Sequence, residues 1–273
     1  MIDRKRLLAD IRAVVAEVGA FLVSEWRKRP TGWASEKSAK DLVSFVDIEA
    51  ERRLAAALKP LVPGSAFYGE EGERRRGELT WVVDPVDGTT NYVSGLDWFC
   101  VSVALFENDR PIIGIVHRPA ADEWFWALRG GGAWEESPRL AARLLPAAVR
   151  TRLRGSLVCT GTPFRSPDTA GAFFGAAAAV TEAALDLRRL GSAALDLCSV
   201  AAGRLQAFWE VDLRAYDVGA ALLLLEETGC PIFTIGGKPY DPFESASIVT
   251  GVPGAAEELR ALVAPFYAAV GRV

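Results

Sequence analysis

Between Phe99 and Leu128 the chain lays down three β-rich runs in series, 99–106, 111–118 and 123–128, and these limit its fold more than any other feature. Asn108-Asp109 supplies the turn after the first, Arg118-Pro119 begins the turn after the second, and Gly130-Gly131-Gly132 breaks the pattern. Helical periodicity comes before them. Leu7, Leu8, Ile11, Val14, Val15, Val18, Phe21 and Leu22 recur on one helix face, with Lys5, Arg12 and Glu17 elsewhere on the wheel. That helix is expected to end before a turn at Arg29-Pro30-Thr31-Gly32, with the polar stretch 33–41 following as a solvated loop. A second helix is expected from about Val46 to Leu58, stopped by Pro60. Short β runs at 66–69 and 80–83 then lead straight into acidic residues.

Residues 135–155 read as a mixed connection. Beyond them, strands at 157–160, 185–190, 205–209, 231–235 and 246–250 alternate with helices at 168–184, 192–202, 215–228 and 254–269. Such alternation gives an α/β class of layered sandwich type, with helix and sheet layers stacked on each other. A chain of 273 residues has ample core for one domain, 1–273, made of two tightly joined halves of about 1–150 and 151–273.

A formal net charge of −4 argues against nucleic acid as main ligand and against an anionic membrane surface. It does not exclude a phosphorylated substrate, because bound divalent cations invert the local sign. Cys100, Cys159, Cys198 and Cys230 show neither paired nor zinc-like spacing, so buried free thiols in a reducing compartment are expected. With no secretory pattern at the start and no run of roughly 18 apolar residues, a cytoplasmic location is expected. His117 is the only histidine and lies in a strand-like run, so chemistry must rest on carboxylates.

The densest signal is the twelve-residue string Trp81-Val82-Val83-Asp84-Pro85-Val86-Asp87-Gly88-Thr89-Thr90-Asn91-Tyr92. A hydrophobic strand delivers Asp84, Pro85 turns the chain, and Asp87 follows three residues later beside a permissive Gly88. Two carboxylates aimed at one spot are costly unless a cation sits between them. Thr89 and Thr90 can open a helical turn whose free N–H groups suit phosphate. Carboxylates for metal beside an anion-binding turn form a phosphoryl-transfer arrangement.

The string resembles the W-x-x-D-P-x-D-G-T-x-N-F signature of the inositol monophosphatase family, which is metal-dependent and lithium-sensitive. Gly69-Glu70-Glu71 is similar to its G-E-E, Asp41-Leu42-Val43-Ser44-Phe45-Val46-Asp47 to its D-L-V-T-x-x-D, and Tyr216-Asp217-Val218-Gly219-Ala220 to its W-D-x-A-A. The resemblance implies the layered fold shared with fructose-1,6-bisphosphatase, two to three Mg²⁺ ions per site and a homodimer. It assigns metal binding to Glu70, Asp84, the Val86 carbonyl, Asp87 and Asp217, and water activation to Glu70 with Thr89 held by Asp47. The plainer alternatives are that Asp47 caps the second helix and Asp217 the helix 215–228, where capping and metal binding can coexist.

For the substrate, a small phosphorylated metabolite, the resemblance adds Asp87, Gly88, Thr89, Thr90, Gly191, Ala193, Glu210 and Asp217, with Glu210 accepting polyol hydroxyls. Inositol monophosphate is the expected substrate. Histidinol phosphate, fructose 1,6-bisphosphate and a nucleotide bisphosphate are the alternatives, and a regulatory scaffold binding transcription machinery is the non-enzymatic one. Tyr216 replaces the usual Trp and Glu227-Thr228-Gly229 a smaller-residue version, neither of which removes a ligand. Arg214 can pair with Glu210, touch the ligand, or equally serve only at the surface. Arg74-Arg75-Arg76 reads as a solvated charge run unless its loop folds over the pocket.

Overall fold

The computed structural model describes residues 3–28, 34–38 and 41–272, with the backbone alone for 34–38 and 41–44. The expected turn at 29–32 and residues Trp33, Ala39 and Lys40 lie outside the described residues. Helix α1 (Arg4–Lys28) buries Leu7, Ile11, Val15, Val18 and Leu22, the face its periodicity marks. The polar stretch is not a plain loop: β1 (Ala34–Ser38) and β2 (Asp41–Ser44) pair antiparallel. A ladder held by backbone hydrogen bonds leaves little trace in a polar sequence, because hydrophobic alternation is the usual signal. Helix α2 (Phe45–Leu58) packs on α1 and buries Val46, Ala50, Leu54 and Leu58.

A seven-stranded sheet then forms in near-sequential order. Its strands are β3 (Ala66–Gly69), β4 (Leu79–Asp87), and, after the short helix α3 (Thr89–Ser94), β5 (Cys100–Glu107), β6 (Arg110–Arg118), β7 (Glu123–Leu128), β8 (Gly132–Ser137) and β9 (Leu140–Leu144). Only the β3–β4 pair is parallel. Strands β8 and β9 occupy the start of the stretch read as a mixed connection. β9 is an edge strand, exposed along most of its length, so no buried alternation marks it.

The second sheet has the order β11-β10-β12-β14-β13. It is built from β10 (Leu157–Thr160), α4 (Ala170–Ala183), β11 (Asp186–Arg188), α5 (Ala193–Ala201), β12 (Ala207–Val211), α6 (Ala215–Thr228), β13 (Ile232–Phe233), β14 (Ser247–Gly251) and α7 (Ala255–Ala268). β11 and β13 are shorter than their sequence runs suggested. Thr234 turns away to accept the N–H of Gly237 and to pair with Lys238, which ends β13 early.

The layers run α1/α2, seven-stranded sheet, α5/α6, five-stranded sheet, α4/α7. Three apolar clusters fill the four interfaces, the middle one surrounding α5 and α6 between the two sheets. Helix α6 lies so close to the first sheet that a side chain at Gly114 would collide with the Ala220 carbonyl. Glu227, where the family signature has a small residue, accepts the N–H groups of Gly130 and Gly132, both at 2.8 Å, and so ties α6 to the β7–β8 turn. All four cysteines are free and buried. Among the described residues no helix is long and apolar enough to cross a membrane.

Candidate active site

Strand β4 does not end at Asp84 in a turn; it continues to Asp87 through a bulge. Asp84 pairs with Ser102 and Asp87 with Cys100, so three steps along β4 face two along β5. Side chains three apart on a regular strand point to opposite faces, and the extra residue brings them back to one side. Pro85 sits within the bulge, where its missing N–H costs the ladder nothing. The Val86 N–H donates to Asp84 Oδ1 at 3.0 Å and fixes that carboxylate.

Asp87 is held from the neighbouring layer. Ser192, the N-cap of α5, donates through Oγ to Asp87 Oδ2 at 2.5 Å, and the Ala194 N–H donates to the same oxygen at 2.7 Å. A carboxylate at a helix start is favoured by those unpaired amides. Asp217 stands at the third position of α6 and accepts the Arg214 N–H at 2.5 Å, so capping and site geometry coincide in one side chain. One oxygen each from Asp84, Asp87 and Asp217 lies within 4.8 Å of the others, and all three residues are buried.

These three and Glu70 line a cleft of about 270 Å³. Burial first, then Asp217, pushes the Glu70 carboxyl up to about 8. Burial likewise raises Asp87 to about 6 and Asp84 well above the carboxylate range, with neighbouring acids adding to both. Buried hard oxygen donors, with the Glu70, Asp84 and Asp87 carboxyls raised, are what a divalent cation would relieve, so the residues fit such an ion.

The other expected residues converge on the same cleft. Val86, Gly88, Thr89, Thr90, Gly191, Ala193 and Glu210 all line it. The Thr89 hydroxyl lies 3.1 Å from Asp47 Oδ1 and 3.0 Å from the Val86 carbonyl, with Asp47 buried behind the cleft wall. Glu210 is buried over Gly161, where any side chain would meet its carboxylate. Asn91 Nδ2 donates to the Trp98 and Leu190 carbonyls, at 2.8 and 2.9 Å, and joins α3 to the loop before α5.

Arg214 is exposed and does not line the cleft, which matches its surface reading and not a pairing with Glu210. The Arg74–Arg76 run stays outside it too. Arg74 donates to the Glu70 carbonyl at 2.7 Å, while Arg75 and Arg76 face surface acids. Sequence reasoning missed Arg165, Arg189 and Asp196, which line the cleft. Arg165 donates to Asp217 at 2.9 Å, and burial raises Asp196 to about 7. Only position gave a hint: Arg165 follows the end of β10, and loops after strand ends carry sites in α/β folds.

A sequence profile described as the inositol monophosphatase family matches residues 3–267. The chain is similar to an inositol-1-monophosphatase of Rhizobium meliloti, 37% identical over 265 residues that cover 95% of this chain and 97% of the relative. It is also similar to the Nus factor SuhB of Pseudomonas aeruginosa, 38% identical over 224 residues covering 80% of each. Its structure superposes on the extragenic suppressor protein suhB of Bartonella henselae with a TM-score of 0.87 at 30% identity, covering 94% of this chain and 98% of that one.

Proposed function

The chain belongs to the inositol monophosphatase family, and we propose that it hydrolyses a small phosphate monoester, inositol monophosphate first, with Mg²⁺ as cofactor. The observation that carries this reading is the set of three buried carboxylate oxygens, from Asp84, Asp87 and Asp217, within 4.8 Å of one another. Glu70, Asp84, Asp87, Asp217 and the Val86 carbonyl would hold two to three ions. Bound there, magnesium supplies charge neutralisation for the phosphoryl oxygens and a more acidic water.

The protein's own groups do the rest. Thr89, anchored to Asp47 at 3.1 Å, and Glu70 orient the attacking water and take its proton. The Tyr92 N–H reaches back to the Gly88 carbonyl at 3.0 Å, so the earlier amides of Gly88, Thr89 and Thr90 have no partner one turn back and are offered to phosphate. Water attacks phosphorus, the bond to the alcohol oxygen breaks, and that oxygen leaves with a proton from solvent. Glu210, Gly191 and Ala193 receive the polyol, Glu210 by accepting hydroxyl hydrogen bonds.

Lithium inhibition, a homodimer and a cytoplasmic location belong to the same proposal; four buried free thiols support the last. The relatives named Nus factor favour one further reading, a regulatory role with transcription machinery beside the enzymatic one. The enzymatic reading is tested by phosphate release from inositol 1-phosphate, histidinol phosphate, fructose 1,6-bisphosphate and adenosine bisphosphate, with magnesium, with EDTA and with Asp84→Asn. Magnesium-dependent release abolished by the substitution supports it; no release together with no metal binding sinks it.

A further inference from the structure

Helix α2 carries two buried acids one turn apart, Asp47 at 1% exposure and Glu51 at 6%. Spacing of four residues puts both on the same face. Asp47 meets the Thr89 hydroxyl. What meets Glu51 is backbone: the Glu71 N–H donates to Glu51 Oε2 at 2.7 Å, and while burial raises this carboxyl above its usual range, the amides of Glu71, Gly72 and Glu70 partly offset that by favouring the charged form.

A buried carboxylate is tolerated only when its oxygens find donors, and here the Glu71 amide bonds one oxygen while the amides on either side of it stand close by. The chain is shaped to reach it. A side chain at Gly69 would collide with the Glu51 carboxylate, and one at Gly72 would come within 2.9 Å of it. The turn is closed from outside by the Gly69 N–H, which donates to the Glu73 carbonyl at 2.7 Å. Glu70 lies in the middle of this wrapped segment. Its backbone is thus moulded on Glu51, while its own carboxyl faces the cleft.

We propose that Glu51 is a positioning residue for Glu70, and that α2 is a common brace which sets Thr89 through Asp47 and Glu70 through Glu51. The two groups that handle the attacking water are then referenced to one rigid element, so their separation does not depend on the loop that carries Glu70. This inference rests on the phosphatase reading, and its test includes a readout that does not.

The experiment compares Glu51→Gln and Glu51→Leu with the parent in the full chain, by Mg²⁺ and Mn²⁺ titration calorimetry, thermal melting, and kcat and KM for inositol 1-phosphate. Glu51→Leu removes every acceptor, and a loss of metal affinity and kcat of about tenfold or more is expected, with KM little changed. Glu51→Gln keeps one oxygen for the Glu71 N–H and should recover part of both. A simple structural role would lower the melting temperature of both variants while the folded protein kept parental metal affinity and kcat; that result overturns the inference. If Glu51→Leu does not fold, the Glu51→Gln titration decides alone. If the parent releases no phosphate from any ester, the phosphatase reading fails, and metal affinity still decides the role of Glu51.

Discussion

The Arg165 guanidinium lies 2.9 Å from Asp217 and 3.7 Å from Glu70, a positive charge laid across two of the carboxylates assigned to magnesium. In the metal-free protein it offsets repulsion within the acidic cluster. A cation entering the cleft must displace or repel it.

Replacing Arg165 by Gln should therefore tighten Mg²⁺ binding, by roughly tenfold or about 1.4 kcal/mol, while lowering the melting temperature in EDTA. Calorimetric titration and melting with and without magnesium check both directions. Unchanged metal affinity would show that Arg165 does not compete for the site.

Stability without metal should fall as pH rises. Unfolded Glu70 and Asp87 titrate near 4.5 and 3.8, but folding raises them to about 8 and about 6. Between those values the folded protein binds more protons than the unfolded chain, so alkali costs stability from about pH 4 up through about pH 8. Melting in EDTA at about pH 5.5 should exceed that at about pH 8.5, and saturating magnesium should flatten the difference. A rise in stability with pH in EDTA would contradict the burial that shifts these groups.

Ser192→Ala removes the 2.5 Å hydrogen bond to Asp87 while leaving every proposed ligand in the sequence. Loss of such an orienting partner weakens metal affinity by about tenfold or more. The substituted protein should reach parental kcat once magnesium is raised to saturation, as a rate assay across metal concentration will read.

Glu210→Gln should raise KM for inositol 1-phosphate about tenfold and leave kcat within a few-fold, because it weakens an acceptor for the polyol hydroxyls and removes none of the proposed metal ligands. Titration with metal alone should match the parent. A fall in kcat of the same size as the rise in KM would place Glu210 in the chemical step instead.

Much of this site is legible in sequence because its densest part is local. Asp84, Val86, Asp87, Gly88, Thr89 and Thr90 occupy one strand end and the start of one helix, and their order alone implies proximity. Glu70 and Asp217 belong to short motifs, one just past the end of β3 and the other in the first turn of α6. Arg165 and Glu51 escaped for a different reason. Their partners lie in other elements, 52 residues away for Asp217 and 20 for Glu71, and no local pattern links them. The same division holds in the fold. Helix α1 announces itself by a buried stripe, whereas β9 is largely exposed and the β1–β2 ribbon is polar, so neither shows the alternation that burial imposes on a strand.

The bulge between Asp84 and Asp87 makes the count of residues there matter more than their chemistry. Val86 contributes a carbonyl and a buried side chain, and another apolar residue of similar volume would serve. Deleting Val86 would return β4 to strict alternation with β5, which keeps Asp84 and Asp87 on one face but removes the bulged residue whose carbonyl is proposed as a ligand; inserting a residue would push the two carboxylates further apart along the strand. The stretch should accordingly accept substitution and reject changes of length. Anyone grafting this cleft onto another sheet must transplant its spacing before its residues.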